Sequence, residues 1–295
     1  MRRIEQAEPI RKRILPLLAI LILALVLRVW HLQYGLPQIL HPDEPTLLQP
    51  ALRIADPAHF DPDPKFFNYP SLQIYVLSLC FFVEGILSQG GSPSRPALPD
   101  VLGAAHVGRW LTTLFGVATV AVVYLLVSRH SSRRKGLVAA LLLAVTPLHA
   151  LDSHYTNVDI PMTFWLLLAC LLALDAARDG KTTRFLFAAA ALGFAGATKY
   201  TALAAFPLLP AATLLSTGPI KRPWTRSRRS AAGLAVCARA FLLAAPYTLL
   251  RFQDVLGAIR FEQSHVQGGH WGFDLDPGGL VYHRLLAAVL SACRA

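Results

Sequence analysis

The residues with the clearest chemical potential lie in an acidic loop over residues 41–75, which is interrupted by prolines and flanked by apolar segments. Asp43 and Glu44 follow His41 in this loop and precede Pro45. A carboxylate in this position could act as the general base that accepts a proton from an attacking hydroxyl. The same residues could instead cap a helix, with the proline in its first turn. The two interpretations are compatible, because a capping position also holds a side chain rigidly.

A second acidic loop, residues 152–160, places Asp159 at the start of another apolar segment. A favourable interaction with the helix dipole would by itself explain a carboxylate there. However, the predicted topology places Asp159 and Asp43 on the same face of the molecule, although more than a hundred residues separate them. Two independent carboxylate-bearing loops on one face favour a functional site.

Three cations in apolar surroundings, Lys199, Arg109 and Arg28, are candidates to bind the phosphate of a lipid-linked substrate. Ionisable residues within membrane segments are functional candidates by default. Long basic side chains also extend to the membrane interface without any such role, which is the simpler alternative for each of the three.

The composition requires a membrane scaffold to position these residues. The 295 residues are 54% hydrophobic and 15% charged, and the mean hydropathy is +0.46. Several apolar runs approach the roughly 20 residues that cross a bilayer, and lipid tolerates only helices or closed barrels. Because the runs do not alternate in polarity, as barrel strands would, they predict an all-α membrane protein.

The net charge of +11 is distributed as in a membrane protein and not as in a nucleic-acid-binding one. Segments 1–13, 128–135, 177–184 and 218–230 hold 17 of the 28 Lys and Arg residues. These short basic loops are typical of the cytoplasmic side. The opposite segments hold 13 of the 17 acidic residues. We therefore exclude nucleic acid as a partner and expect the acidic loops on the outer face.

The apolar runs predict a polytopic bundle of about seven or eight transmembrane helices. The stretch 71–87, within the first outer loop (33–103), is expected to lie in the membrane interface as a helix, since a span there would invert the later basic loops. The predicted transmembrane helices cover residues 14–32, 104–127, 136–151, 158–175, 184–199, 201–217 and 231–249.

Three regions follow from this arrangement: a cytoplasmic basic N-terminus (1–13), a transmembrane catalytic module (14–250) and an outer loop with an incomplete last helix (251–295). The last helix is expected to start near Leu280, about 15 residues before the chain ends, which is short of a full crossing. The sequence thus predicts a C-terminally truncated chain.

The order of several short motifs resembles the GT-C type integral membrane glycosyltransferases. HPDE follows the first helix and precedes FFNYPSLQIY, GRWLTTLFGVATVAVVYLL, RRKGLVAALLLAVTPLHALDSHYTNVDIPMTFW and GFAGATKYTALAAFPLL. The sequence is most similar to the family 39-like group of protein O-mannosyltransferases and aminoarabinose transferases, over roughly residues 10–260. Each motif is weak alone, whereas their order is fairly specific.

The resemblance implies an enzyme that moves a sugar, with inversion, from a polyprenyl-phosphate-linked donor to a hydroxyl on a glycan, lipid or protein acceptor. Asp43 then corresponds to the catalytic base, with Glu44 beside it and Asp159 as the acid of the second loop. Lys199, Arg109 and Arg28 would bind the donor phosphate. The remaining candidates contact substrate: His41, Tyr69, His154 and Tyr155. No cofactor is required by the pattern, and a divalent metal ion stays an open alternative.

One departure from the family pattern concerns the donor. Some relatives carry a lysine before the loop proline, where this chain has Tyr69 before Pro70. Two alternative functions also remain: a transporter or flippase of a lipid-linked or anionic solute, and an inactive truncated relative that only binds lipid phosphate. The expected location is a bacterial inner membrane, with the active site on the periplasmic face.

Overall fold

The computed structural model describes residues 10–87, 97–216 and 223–268. Within these ranges every regular element is helical, as the sequence predicts. The chain divides into two compact units, residues 1–250 and 251–295.

The first unit contains eleven α-helices in its described residues. They are α1 (Ile10–Val29), α2 (Asp43–Ala55), α3 (Leu72–Leu87), α4 (Val101–His130), α5 (Arg133–Val145), α6 (Pro147–Asp152), α7 (Asp159–Asp179), α8 (Thr182–Thr198), α9 (Leu208–Leu214), α10 (Pro223–Ala244) and α11 (Tyr247–Leu250). Two 3-10 turns, Pro57–His59 and Tyr200–Ala205, lie between them.

Helices α4 and α7 are the two helices of the described ranges that are long and apolar enough to cross a membrane. The Asp100 side chain caps α4 by accepting a hydrogen bond from the backbone N–H of Gly103, at 2.8 Å. Helix α7 ends at Gly180, whose φ of 72° lies in the left-handed region that glycine adopts without steric cost. The termini of both helices are therefore set by local sequence.

Prolines divide two of the predicted transmembrane helices, which corrects their boundaries. The expected helix over 136–151 is interrupted at Pro147, because the residue before a proline is driven towards extended backbone; Thr146 has φ −64° and ψ 117°. The expected helix over 201–217 is replaced by a 3-10 turn and the short α9, which begins after Pro207 and contains Pro210.

The core of the transmembrane region is formed by small residues on α7, α8 and α10. Alanines at 169, 173 and 176 of α7 pack on Phe185, Leu192 and the alanines of α8. A Cβ atom added to Gly193 of α8 would collide with the backbone oxygen of Cys237 in α10. Small residues let helix backbones approach closely, as is usual in membrane proteins.

Helices α2 and α3 pack against each other within the predicted first outer loop. Leu47, Leu48 and Ala51 of α2 are fully buried, as are Ile74 and Leu77 of α3, and all belong to one core cluster. Helix α3 covers the stretch at 71–87 that the sequence predicted to be helical. Since α2 begins at Asp43, this packing fixes the position of that carboxylate.

The second unit contains α12 (Phe252–Gly268) in its described residues. The sequence did not predict this helix, because its polar composition suggested an irregular stretch. The last helix expected from Leu280 lies outside the described residues.

Candidate active site

Asp43 is the first residue of α2, and its carboxylate meets the hydroxyl of a loop tyrosine. Pro42 occupies the N-cap position and provides no side-chain cap. The backbone N–H of Asp43 donates to Nδ1 of His41 at 3.3 Å, while the Tyr69 hydroxyl donates to Asp43 Oδ2 at 3.4 Å. The Tyr69 hydroxyl thus orients the half-buried carboxylate, while His41 holds the backbone of the same residue.

Lys199 and Asp159 form an ion pair where the C-terminus of α8 meets the N-terminus of α7. Lys199 Nζ lies 2.7 Å from Asp159 Oδ1, at the C-terminus of α8 and the N-terminus of α7 respectively. The same Nζ lies 5.7 Å from the centroid of the Tyr69 ring. Tyr69 therefore contacts the lysine with its ring and Asp43 with its hydroxyl, which brings the two predicted acidic loops together.

Asp152, at the end of α6, is a third carboxylate that the sequence reasoning did not single out. Burial raises the pKa of the Asp152 carboxyl, and the neighbouring Asp159 carboxylate raises it further, while His41 and Lys199 oppose this. The Nδ2 of Asn157 donates to the backbone oxygen of Asp152 at 2.7 Å and closes the loop between the two acids. The sequence feature that could have identified Asp152 is its position as a second acid, seven residues before Asp159.

Tyr155 and His41 form a stacked pair at the edge of this site. Their ring centroids are 4.8 Å apart at an interplanar angle of 26°. The adjacent His154 is instead held against the backbone: its Nδ1 and Nε2 lie 2.8 Å from the carbonyl oxygens of Ala150 and Trp30. Three of the predicted substrate-binding residues, His41, Tyr69 and Tyr155, therefore line the site.

Glu44 and Arg109 form an ion pair with each other in the protein interior. Both side chains are buried, 0% and 1% exposed, and make a bidentate pair with N···O distances of 2.8 and 2.7 Å. Glu44 Oε1 also accepts the backbone N–H of Thr156 at 3.0 Å. Arg109 Nη1 donates to the oxygens of Leu32 and Tyr34 at 2.8 and 2.9 Å. This pair joins four separate segments of the chain.

Arg28 is fully buried. None of its hydrogen bonds joins it to Lys199, Asp159 or Tyr69. Its guanidinium donates to the backbone oxygens of Ala24 and Ala144 at 2.9 and 3.1 Å, and Nη2 lies 2.8 Å from Nδ1 of His149. Arg28 thus links α1 to the end of α5 and to α6.

Within residues 10–87, 97–216 and 223–268, no group of three or more His, Cys, Asp and Glu side chains is arranged to hold a metal ion. The side chains of these described ranges therefore do not fit a metal site, and no step proposed below passes through one.

Residues 103–248 match the sequence profile of the family described as dolichyl-phosphate-mannose-protein mannosyltransferase. The chain is also 35% identical over 98 residues to YkcB of Bacillus subtilis (strain 168), which is provisionally named a mannosyltransferase. This match covers 33% of the chain and 13% of YkcB.

Two solved structures share the fold. The Saccharomyces cerevisiae protein O-mannosyltransferase Pmt1–Pmt2 complex, bound to the sugar donor, matches with a TM-score of 0.58 at 18% identity, over 83% of this chain and 34% of that one. The apo oligosaccharyltransferase of Archaeoglobus fulgidus matches with a TM-score of 0.52 at 14% identity, over 95% and 39%. The chain thus spans little more than a third of these structures, and at such identities the likeness shows the fold alone.

These findings confirm the resemblance inferred from the sequence: residues 103–248 match the mannosyltransferase family profile, and the helices share the fold of GT-C membrane transferases.

Proposed function

We propose that this relative of the dolichyl-phosphate-mannose-protein mannosyltransferases moves a sugar from a polyprenyl-phosphate-linked donor to a hydroxyl acceptor, with inversion at the anomeric carbon. The observation that carries the proposal is the contact of Tyr69 with both Asp43 and Lys199. It places a candidate base and a candidate phosphate-binding cation at one point, although 156 positions separate them in the sequence. The family match supports a lipid-linked donor of mannose type.

The proposed reaction is a single displacement. The acceptor oxygen attacks the anomeric carbon while the bond from that carbon to the donor phosphate oxygen breaks, which inverts the configuration. Asp43 takes the hydroxyl proton, and the phosphate leaves with the bonding electron pair. Lys199 stabilises the negative charge that develops on the leaving oxygen, as preorganised cations do in transfer reactions.

Asp159 is proposed to hold the lysine, and His41 and Tyr155 are proposed to hold the sugar. Asp159 holds the Lys199 ammonium beside the Tyr69 ring before the donor arrives. A donor phosphate approaching the same ammonium would share it with Asp159. His41 and Tyr155 form a wall suited to hold the transferred sugar, because their stacked rings present an apolar face with polar edges.

Glu44, Arg109 and Arg28 are proposed as positioning residues, which differs from the roles that the sequence suggested. A buried pair with no exposed polar atoms to offer cannot bind a donor phosphate without breaking. Arg109 and Glu44 instead fix the start of α2, and therefore Asp43, relative to the second acidic loop. Arg28 holds the end of α5 by its carbonyl oxygens.

The site is proposed to lie on the outer face of a bacterial inner membrane. This places α2 and α3 in the interface as part of the first outer loop, within a bundle of seven or eight spans. The asymmetry of basic and acidic residues supports this orientation.

The test is sugar transfer from labelled polyprenyl-phosphate monosaccharides by the full chain in reconstituted membranes. Asp43→Asn keeps the shape of the side chain but cannot accept the proton, so transfer should fall by a factor of about 10² to 10⁴. Asp56→Asn is the matched control, since Asp56 lies in the same loop but contacts His59 and Ala58. Turnover of Asp43→Asn equal to wild type would refute the base; donor binding without transfer by the wild-type chain would refute the enzymatic function.

A further inference from the structure

A groove beside the candidate active site has the lining of a saccharide-binding subsite. Its volume is about 470 Å³, within the range of small-ligand pockets. It lies between the segment after α1 and the first turns of α4. Its polar and aromatic lining residues are His31, Gln33, Tyr34, His106 and Trp110, above Leu32.

The aromatic side chains of the groove are oriented by contacts among themselves. The indole Nε1 of Trp110 donates to Nε2 of His106 at 3.1 Å, and the two rings meet edge to face with centroids 6.4 Å apart. Trp110 is 37% exposed and Tyr34 is 63% exposed. A flat ring with one polar edge can pack on the apolar face of a sugar while neighbouring donors and acceptors bind its hydroxyls.

The backbone of His31 supports a binding role independently of the lining. Its φ is 58°, in the left-handed region that a residue with a Cβ rarely adopts. The turn is maintained by a hydrogen bond from the backbone N–H of Tyr34 to the oxygen of His31, at 2.8 Å. Strained backbone that persists in this way is characteristic of ligand-binding positions.

The groove shares a wall with a smaller cavity that reaches towards the candidate active site. His31, Leu32 and Tyr34 also line this cavity, whose volume is about 150 Å³ and whose lining includes Arg109 and Tyr155. Tyr155 stacks on His41, two residues before Asp43. Arg109 donates to the oxygens of Leu32 and Tyr34 while it binds Glu44, so one buried pair fixes both the groove wall and the start of α2.

We propose that this groove binds a neutral saccharide as the acceptor, or as the part of the acceptor next to the reacting hydroxyl. The acceptor role of this saccharide rests on the proposed function, but binding of the saccharide to the groove can be measured without any donor. The lining favours a sugar over other ligands: its described residues include no Lys, Arg, Asp or Glu for a charged group, and they are too polar for a prenyl chain.

The experiment measures equilibrium binding of two neutral disaccharides, mannobiose and cellobiose, to the full chain in lipid nanodiscs without donor. Trp110→Ala should weaken binding of the preferred disaccharide about tenfold, because truncating a central aromatic contact typically costs that much or more. Trp224→Ala is the matched control, since Trp224 is an exposed tryptophan on α10 that does not line the groove.

His31→Gly separates a ligand-binding role from a structural one. Glycine relieves the left-handed backbone and removes the imidazole. We therefore expect a higher melting temperature together with weaker disaccharide binding. A structural His31 would instead give a lower melting temperature with unchanged binding, which would count against the subsite.

Other outcomes are equally decisive. No binding of either disaccharide to the wild-type chain, or the same affinity in Trp110→Ala, overturns the proposal. An effect of Trp110→Ala on donor affinity but not on disaccharide affinity also overturns it and assigns the groove to the lipid. Disaccharide binding that depends on Trp110, in a chain that transfers no sugar, would uphold the subsite while refuting the proposed function.

Discussion

At the scale of residues, the candidate site shows how the surroundings give similar carboxylates different roles. Asp43 is half-buried beside a tyrosine hydroxyl, whereas the adjacent Glu44 is fully buried in a bidentate pair with Arg109. Asp159 is paired with a lysine, and Asp152 is partly desolvated near a second acid. In the proposed mechanism these surroundings make Asp43 the base, Glu44 a structural anion and Asp159 the partner that holds the lysine.

Asp152 gives a prediction about pH. Its pKa is raised above the usual 3.8, so between these two values the folded state binds more protons than the unfolded state, and stability falls as pH rises. Asp152→Asn should therefore melt at a higher temperature than wild type at pH 7, and this difference should shrink as the pH falls towards and below 3.8, where both states become protonated. Thermal unfolding of both chains across this pH range measures it.

Asp56 provides a control for which we expect the opposite change in melting temperature. The hydrogen bond from His59, helped by the N–H of Ala58, lowers the pKa of its carboxyl. That contribution is present above the usual pKa and is lost as pH falls through the folded pKa. Asp56→Asn should therefore melt at a slightly lower temperature than wild type at pH 7. A higher melting temperature for both variants would show that the Asp152 result is not specific.

At the scale of elements, the Glu44–Arg109 pair connects α2 to α4, to the segment after α1 and to the second acidic loop. A buried ion pair is not in itself strong evidence of stabilisation, because removing both charges from water is costly. Its value here is geometric, since its hydrogen bonds have partners 65, 77 and 112 positions apart in the chain. We infer that it specifies how the loops meet.

The second prediction concerns removal of one charge of this ion pair. Glu44→Gln leaves the Arg109 guanidinium buried without its counter-charge, and should lower the free energy of unfolding by about 3–5 kcal/mol. The double variant Glu44→Gln with Arg109→Met removes that buried charge and should recover part of the loss. Chemical unfolding of the reconstituted chain measures both, and equal losses in the single and double variants would contradict the explanation.

An exposed ion pair in the same loop serves as the control. Lys65 and Asp61 are paired at 2.7 Å, but their side chains are 53% and 40% exposed. Solvent screens such a pair, so Lys65→Gln should leave the unfolding curve unchanged within error.

At the scale of the whole molecule, charge is separated between the two ends of the first unit. The end opposite Asp43 collects basic residues around the buried Asp175, which lies 2.6 Å from Arg129 and 3.9 Å from Arg184. His130 lies 3.2 Å from the same carboxylate. These residues come from α4, α7 and α8, so two of the basic segments that predicted a cytoplasmic side, 128–135 and 177–184, meet on one side of the fold.

The proposed orientation gives the third prediction, tested by single cysteines in a chain whose native cysteines are replaced by alanine. Gln49→Cys, on the exposed side of α2, should react with a membrane-impermeant maleimide added outside intact cells. Arg134→Cys, on the exposed start of α5, should react only after the membrane is opened. The reverse pattern would place the acidic site on the cytoplasmic side and contradict the proposed location.

The sequence by itself determined the helical class, the order of the helices, the presence of the helix α3 and the candidacy of Asp43, Asp159 and Lys199. Apolar run length, prolines and charge distribution are local properties, and local properties can be read along a chain. The helix boundaries that the sequence analysis missed are also local features. The break at Pro147 and the 3-10 turn after Lys199 depend on backbone preferences, which the length of an apolar run does not show.

Only the tertiary structure decided which of these residues meet. The contacts of Tyr69 with Asp43 and Lys199, the closure of Glu44 onto Arg109, and the approach of Asp152 to Asp159 depend on how α2, α4, α7 and α8 pack. A single sequence gives the charge of each side chain but not its partner. The partner is set by packing between elements that lie tens of residues apart, and that packing gives Asp43 and the adjacent Glu44 different surroundings.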